Sequence, residues 1–292
     1  MTPEVEAALR EQGARAWVHA VDLDSGAETG LGDDELVVTA SVFKIPVLVE
    51  LCHQYGSGRL RPEQRVRLAA GDRRTPGGVG TSVLLDDVEL SLRDLSVLMM
   101  SVSDNRATDV ILDLVGLDAV NARMAALGLH ETVLVGDCQL LFDQIDEDLP
   151  GGYDHYVPGE EDLRLTMRTA VPASTSRSTP RETTRLLAMI WTDQATTPDG
   201  CAEARRVLGL QVWPHRLSSG WSADDVTISA KTGTIAAIRN EAGVVELPDG
   251  GRVAVAVFVR NRTAAARNPD ADRLIGSLGR AAVDRVRAGG PA

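Results

Sequence analysis

Strand signals lie at the two ends of this chain and helix signals fill the middle. That order restricts the fold more than any other feature. Residues 16–22, Ala-Trp-Val-His-Ala-Val-Asp, alternate and are partly β-branched, as a strand requires. Asp24-Ser25-Gly26 is a turn signal leading to a second strand near 27–31. At the other end, residues 226–231, 241–247 and 252–260 read as strands, and Pro248-Asp249-Gly250-Gly251 joins the last two as a hairpin. An amphipathic helix is expected over 3–12, with Thr2 as its N-cap and Pro3 at its first position. A closing helix is expected over 269–287, with Leu274, Ile275, Leu278, Ala282 and Val286 near helical spacing. The middle supplies helices at 41–55, after the Ser91/Asp94 capping pair, at 106–115 and at 117–127. Another opens on Thr179-Pro180-Arg181-Glu182. Strands that cannot stay unpaired must then meet across the whole chain. The expected fold is α/β in the α+β sense: an antiparallel sheet built from both termini, with flanking helices and an inserted all-helical lobe. We expect one catalytic unit over 1–292. Its sheet lobe spans about 1–40 and 217–292, its helical lobe about 41–216, and a small-molecule cleft lies between them. Residues 136–178, acidic and broken at Leu149-Pro150-Gly151-Gly152, read as a long loop.

Composition narrows the function. A net charge of −12 argues against nucleic acid or an anionic membrane as partner. No apolar run is long enough to span a bilayer. Residues 1–6 carry acidic side chains and no apolar core of a signal peptide, so a cytoplasmic location is expected. Cys52, Cys138 and Cys201 show no metal-ligand spacing and read as free thiols. We expect neither metal nor cofactor.

Three short motifs carry chemistry: Ser41-Val42-Phe43-Lys44, Ser103-Asp104-Asn105 and Lys231-Thr232-Gly233. A serine hydroxyl attacks only when a base takes its proton. Ser41 and Lys44 are three apart in a helical stretch, so the amine is expected to fold back onto the hydroxyl. The apolar flanks Val42, Phe43, Ile45 and Val47 would desolvate Lys44 and lower its pKa. At a helix start, Ser41 also offers a free backbone N–H to an oxyanion. Ser103-Asp104-Asn105 falls between two helical segments, and also reads as a capping turn. Lys231-Thr232-Gly233-Thr234 ends the strand 226–231, where Lys231 and the Thr232 hydroxyl can hold a substrate carboxylate and Gly233 permits close approach. Arg216 and Arg239 are both candidates for a second, bidentate anchor.

The ordered set S-x-x-K, S-D-N, K-T-G resembles the class A serine β-lactamases and related penicillin-binding enzymes. The resemblance extends to the lead-in 88–95 and to the helix start at 179–182. It implies that Ser41 forms an acyl-enzyme and that Lys44 is its base. It further implies that Ser103 passes a proton to the leaving nitrogen and that Asn105 contacts the substrate's amide arm. Thr234 would give the second oxyanion N–H. The implied partner is a small-molecule β-lactam bearing a carboxylate.

One element of that family is missing. The deacylating glutamate belongs to an E-x-x-L-N sequence, and the matching window, 134–143, contains none. Asp137 is the candidate replacement base, with Asp143, Glu160 and Glu161 further along. Three activities follow: a β-lactam hydrolase, an esterase, peptidase or acyltransferase on another substrate, and a penicillin-binding protein that stays acylated.

Overall fold

The computed structural model describes residues 3–72, 75–149, 151–152, 161–222, 226–265 and 267–289, the side chains of 3–5 and 161–162 excepted. Thr2 and Glu160, and the side chain of Glu161, lie outside this set. In chain order the elements are α1 Pro3–Gln12, β1 Arg15–Asp22, β2 Glu28–Leu31, β3 Val37–Val38, α2 Lys44–Gly56, β4 Arg65–Leu68 and β5 Val88–Ser91. Next come α3 Leu92–Ser101, α4 Asn105–Val115, α5 Leu117–Ala126, α6 Cys138–Asp148, α7 Glu161–Thr166, β6 Arg177–Ser178, α8 Pro180–Trp191 and α9 Pro198–Leu208. The chain closes with β7 Thr227–Ile235, β8 Ile238–Glu246, β9 Arg252–Arg260 and α10 Pro269–Arg287.

The main sheet is antiparallel with strand order β2-β1-β9-β8-β7, so both ends of the chain build it. Its two faces follow from the two-residue period of β9. Val253, Val255, Val257 and Val259 face one way, against Leu274, Ile275, Leu278 and Val286 of α10. Ala254, Ala256 and Phe258 face the other way, into a larger core with α2, α3, α4 and α8. The small side chains on that second face let the helices approach closely, and few aromatics are needed to fill the space.

Several elements depart from expectation. The strand read as 226–231 runs on to Ile235, so Lys231-Thr232-Gly233 lies inside β7 rather than at its end. β7 and β8 pair as far as Ile235↔Ile238 around Ala236-Ala237. That turn contains no glycine or asparagine to announce it, and Ala236 takes a left-handed φ of 47°. The stretch 136–178 is not one loop: it holds α6, α7 and β6, which pairs with β3. The start of α6 carries a local signal that the acidic composition of the stretch obscures. Asp137 is its N-cap, accepting from Leu140 N, and Cys138, Leu141 and Ile145 recur at helical spacing. The same holds for α9, where Thr197 caps and Pro198 opens the helix. Among the described residues, no helix is long and apolar enough to cross a membrane.

Candidate active site

Ser41 sits in a short 3-10 turn, Ala40–Phe43, and α2 begins only at Lys44. The expected continuous helix from 41 is therefore broken into two. Val42, Phe43 and Ile45 are buried, whereas Ser41 is partly exposed and lines a cleft of about 520 Å³. Ala40 holds a φ of 43°, a strained value for a residue with a side chain. The turn is secured from outside. Asn240 Nδ2 donates to Val38 O at 2.8 Å and Thr39 O at 3.1 Å, and Thr39 Oγ1 donates to Ser176 O. Nothing in the sequence marks Asn240 for this role, because its contact is made across the whole chain.

Lys44 is fully buried, and its amine has three partners: Ser103 O at 2.8 Å, Asn105 Oδ1 at 2.8 Å and Ser103 Oγ at 3.2 Å. The expected fold-back onto Ser41 is not among its hydrogen bonds. An ammonium has three protons, and the turn at 103–105 offers three acceptors inside the protein, so it takes all of them. Burial lowers the Lys44 pKa, with Cys138, Asp104 and Asp109 opposing the shift. The turn is itself well held. Asp104 is buried, caps α4 by accepting from Ala107 N at 3.1 Å, and accepts from Thr81 N at 2.5 Å. The capping and the functional readings of this motif are therefore compatible. Asn105 spends one amide hydrogen on Pro76 O at 2.8 Å and faces the cleft.

β7 is an edge strand, so alternate backbone N–H groups point away from the sheet. Thr232 N is one of these, and donates to Gln211 Oε1 at 2.6 Å. By the same parity the N–H of Thr234 points outward too, where that exposed residue lines the cleft. Gly233 is required between them: a Cβ there would lie 2.6 Å from Thr39 O and 3.2 Å from Ser41 N. The glycine thus lets β7 press against the Ser41 turn. The two expected oxyanion donors, Ser41 N and Thr234 N, flank this contact.

Lys231 is fully buried and donates to Thr232 O at 2.9 Å. Direct, open contact with a substrate carboxylate is not its position in this structure. Burial puts its pKa well below the ordinary lysine range, and the Lys44 ammonium lowers it further. Two ammonium groups in one dry site oppose each other's ionisation. Beneath them, buried Glu241 accepts from Leu217 N at 2.5 Å and Gln211 Nε2 at 2.6 Å; burial raises its pKa. The two arginines share Asp272 Oδ1 and differ in their other partners. Arg216 donates to Thr234 Oγ1 at 2.6 Å, to Gly233 O and Asn240 O at 2.8 Å each, and to Asp272 Oδ1 at 2.8 Å. Arg239, the cross-strand partner of Thr234, donates to the same Asp272 Oδ1 at 3.3 Å and to Ala265 O at 3.0 Å. Arg216 is therefore the arginine that reaches the cleft's wall, one side chain behind it.

Asp137 does not face Ser41. As the cap of α6 its carboxylate accepts from Leu140 N at 2.7 Å, and it lines a neighbouring cavity with Asp72, Asp109 and Asp113. Asp143 accepts from Gln139 Nε2 at 2.7 Å and also lies off the Ser41 cleft. From the same stretch, Cys138, a buried thiol, lines it together with Leu141 and Phe142. Asp109 sets it there, accepting from Cys138 N at 2.8 Å, Gln139 N at 3.0 Å and Thr75 Oγ1 at 2.7 Å. Burial raises the Cys138 pKa, so the thiol is protonated at neutral pH despite nearby Lys44. Among the described residues that line the cleft there is no carboxylate.

If Lys44 acts as the base toward Ser41, acylation should speed up as pH rises through the Lys44 pKa. The free amine accepts a proton and the ammonium does not. Since burial lowers that pKa, the rise should be complete below the ordinary lysine range. Stopped-flow acylation rates across pH check this, with Lys44→Ala expected to be flat and about 10²-fold slower.

The family pattern of a β-lactamase enzyme family matches residues 1–286. A curated relative, the β-lactamase regulatory protein BlaB of Streptomyces cacaoi, is 28% identical, covering 97% of this chain and 96% of its own. The extended-spectrum β-lactamase PER-1 of Pseudomonas aeruginosa is 25% identical, covering 79% of this chain and 70% of its own. Among solved structures, a β-lactamase from Sphaerobacter thermophilus superposes with a TM-score of 0.78 at 26% identity, covering 99% of this chain and 97% of its own. The fold, the ordered motifs and a match over nearly the full length agree, and the chain belongs to the β-lactamase enzyme family.

Proposed function

We propose that β-lactams acylate Ser41 and that the acyl-protein persists. One observation carries this reading. Ser41 and Thr234 line the cleft together with a protonated thiol, Cys138, and among the described residues no carboxylate lines it. In acylation, neutral Lys44 takes the Ser41 proton and Oγ attacks the lactam carbonyl. The N–H groups of Ser41 and Thr234 hold the developing oxyanion. The ring C–N bond then breaks, and Ser103 Oγ gives its proton to the leaving nitrogen. Lys44 replaces that proton across the 3.2 Å contact. Arg216, acting through Thr234, supplies positive charge toward the substrate carboxylate.

Deacylation needs a water and a base beside the ester. A protonated thiol is neither an acceptor of useful strength nor a carboxylate. A long-lived adduct also suits a protein that reports the presence of a β-lactam, in keeping with the name of its Streptomyces relative. Mixing with a chromogenic cephalosporin should give a burst of about one equivalent and then slow turnover. Intact-mass spectra should show the drug on the protein minutes later. Rapid multiple turnover without an adduct would replace this reading with that of a hydrolase.

A further inference from the structure

A second cavity, of about 240 Å³, lies against the main sheet, away from the Ser41 cleft. Its floor follows from strand register. Trp17 pairs with Phe258 and Phe258 with Asn240, so the three side chains stand in one row across β1, β9 and β8. The row continues through Asn240↔Gly233 to β7, where the Ser41 turn presses on the glycine. Val37 and Pro172 help to close the cavity, and the exposed Leu36 lines it too. Its charged lining residues are of both signs, Arg15 and Arg260 against Glu35, and Glu35 Oε2 accepts from Trp17 Nε1 at 2.9 Å. Asn240 is fully buried and lines the cavity. Its Nδ2 is spent on Val38 O and Thr39 O, which fixes the orientation of the amide, because only an NH₂ can serve two carbonyls. Its Oδ1 is buried and accepts from no donor among the described residues. Buried polar atoms are normally paired, so an unpaired acceptor beside a cavity calls for a donor from within it.

We propose that this cavity binds a small, uncharged aromatic molecule whose single N–H or O–H group donates to Asn240 Oδ1, and that its binding braces the Ser41 turn. The ring gains by leaving water and by packing on Trp17 and Phe258. An anion would bring a second acceptor to Oδ1, and a cation would give up its water for one neutral carbonyl. Donation to Oδ1 polarises the amide and strengthens what Nδ2 gives to Val38 O and Thr39 O. Thr39 O also accepts from Val42 N at 3.1 Å, across the strained Ala40. A ligand in the cavity thus acts on the turn through one side chain. The site does not depend on what reacts at Ser41.

The test titrates indole and 1-methylindole into the isotope-labelled protein and follows both by NMR. The two are close in size and shape, and only indole can donate. Indole should shift the side-chain signals of Trp17 and Asn240 and bind at least about tenfold more tightly than 1-methylindole. Saturating indole should slow hydrogen exchange at the Val42 amide by at least about threefold. Leu36→Trp, which adds bulk to the cavity's edge, should weaken indole by at least about tenfold. Trp17→Ala, which removes an aromatic wall, should do the same. Circular dichroism establishes that each variant is folded, and either variant alone suffices. No binding, equal affinities for the two compounds, or shifts that leave Trp17 and Asn240 untouched would overturn the site. Binding as expected with unchanged exchange at Val42 would overturn the bracing of the turn.

Discussion

Ser41→Ala should take up no label from a fluorescent penicillin, even after hours at saturating concentration, and should unfold in urea at nearly the wild-type midpoint. The loss is expected because Ser41 is the proposed nucleophile, while of the other hydroxyls lining the cleft Thr75 donates to Asp109 and Thr234 accepts from Arg216. Ser103 is not among the residues that line the cleft, and its hydroxyl sits on the amine of Lys44. Stability is spared because Ser41 is partly exposed, and Asn240 and Thr39, rather than the Ser41 hydroxyl, hold the turn. Deleting one exposed hydroxyl typically changes stability by within about 0.5 kcal/mol. Undiminished labelling of the variant would remove Ser41 as the nucleophile.

On the proposed reading of a persistent acyl-protein, Cys138→Glu should raise the deacylation rate by about 10²-fold or more. Cys138 lines the same cleft as Ser41, and its charge state acts on Lys44. A carboxylate placed there would face an ammonium and open space for a water. Asp109 fixes the backbone of residues 138 and 139, so the new side chain starts from a held position. Cys138→Ser is the control: it is similar in size, cannot act as a carboxylate, and should leave the adduct long-lived. The measurement is loss of drug mass from the acylated protein with time. Equal deacylation rates in Cys138→Glu and the wild-type protein would show that something other than the missing carboxylate limits the reaction. Asp137 is not expected to substitute, since its carboxylate is committed to Leu140 N on the far side of the wall.

Much of the fold is legible locally. The strands 16–22 and 252–260 alternate visibly, and the closing helix over 269–287 shows its apolar stripe. Thr179-Pro180-Arg181-Glu182 announces α8 with a cap, and the structure has Thr179 Oγ1 accepting from Glu182 N at 3.0 Å. These signals survive because each is set by neighbours within four residues. The misses also have reasons. The hairpin at Ala236-Ala237 lacks turn residues because β7 and β8, paired along nine positions, hold the turn closed. α6 was hidden by its acidic composition, although its cap and spacing were present.

The order of residues fixes which side chains are available: a serine and lysine in an apolar run, a Ser-Asp-Asn turn, a Lys-Thr-Gly strand, and no glutamate in 134–143. It also determined that both termini share one sheet, because strand signals occur at both ends. Only the tertiary structure decided who touches whom. Lys44 bonds to residues 59 and 61 positions away, and Asn240 holds a carbonyl 202 positions away. It put Arg216 on Thr234 Oγ1, turned Asp137 away from the cleft, buried Lys231 and brought Cys138 to the cleft wall. Hydrogen bonds and burial depend on distances in space, and those distances are set by strand register and helix packing rather than by spacing along the chain.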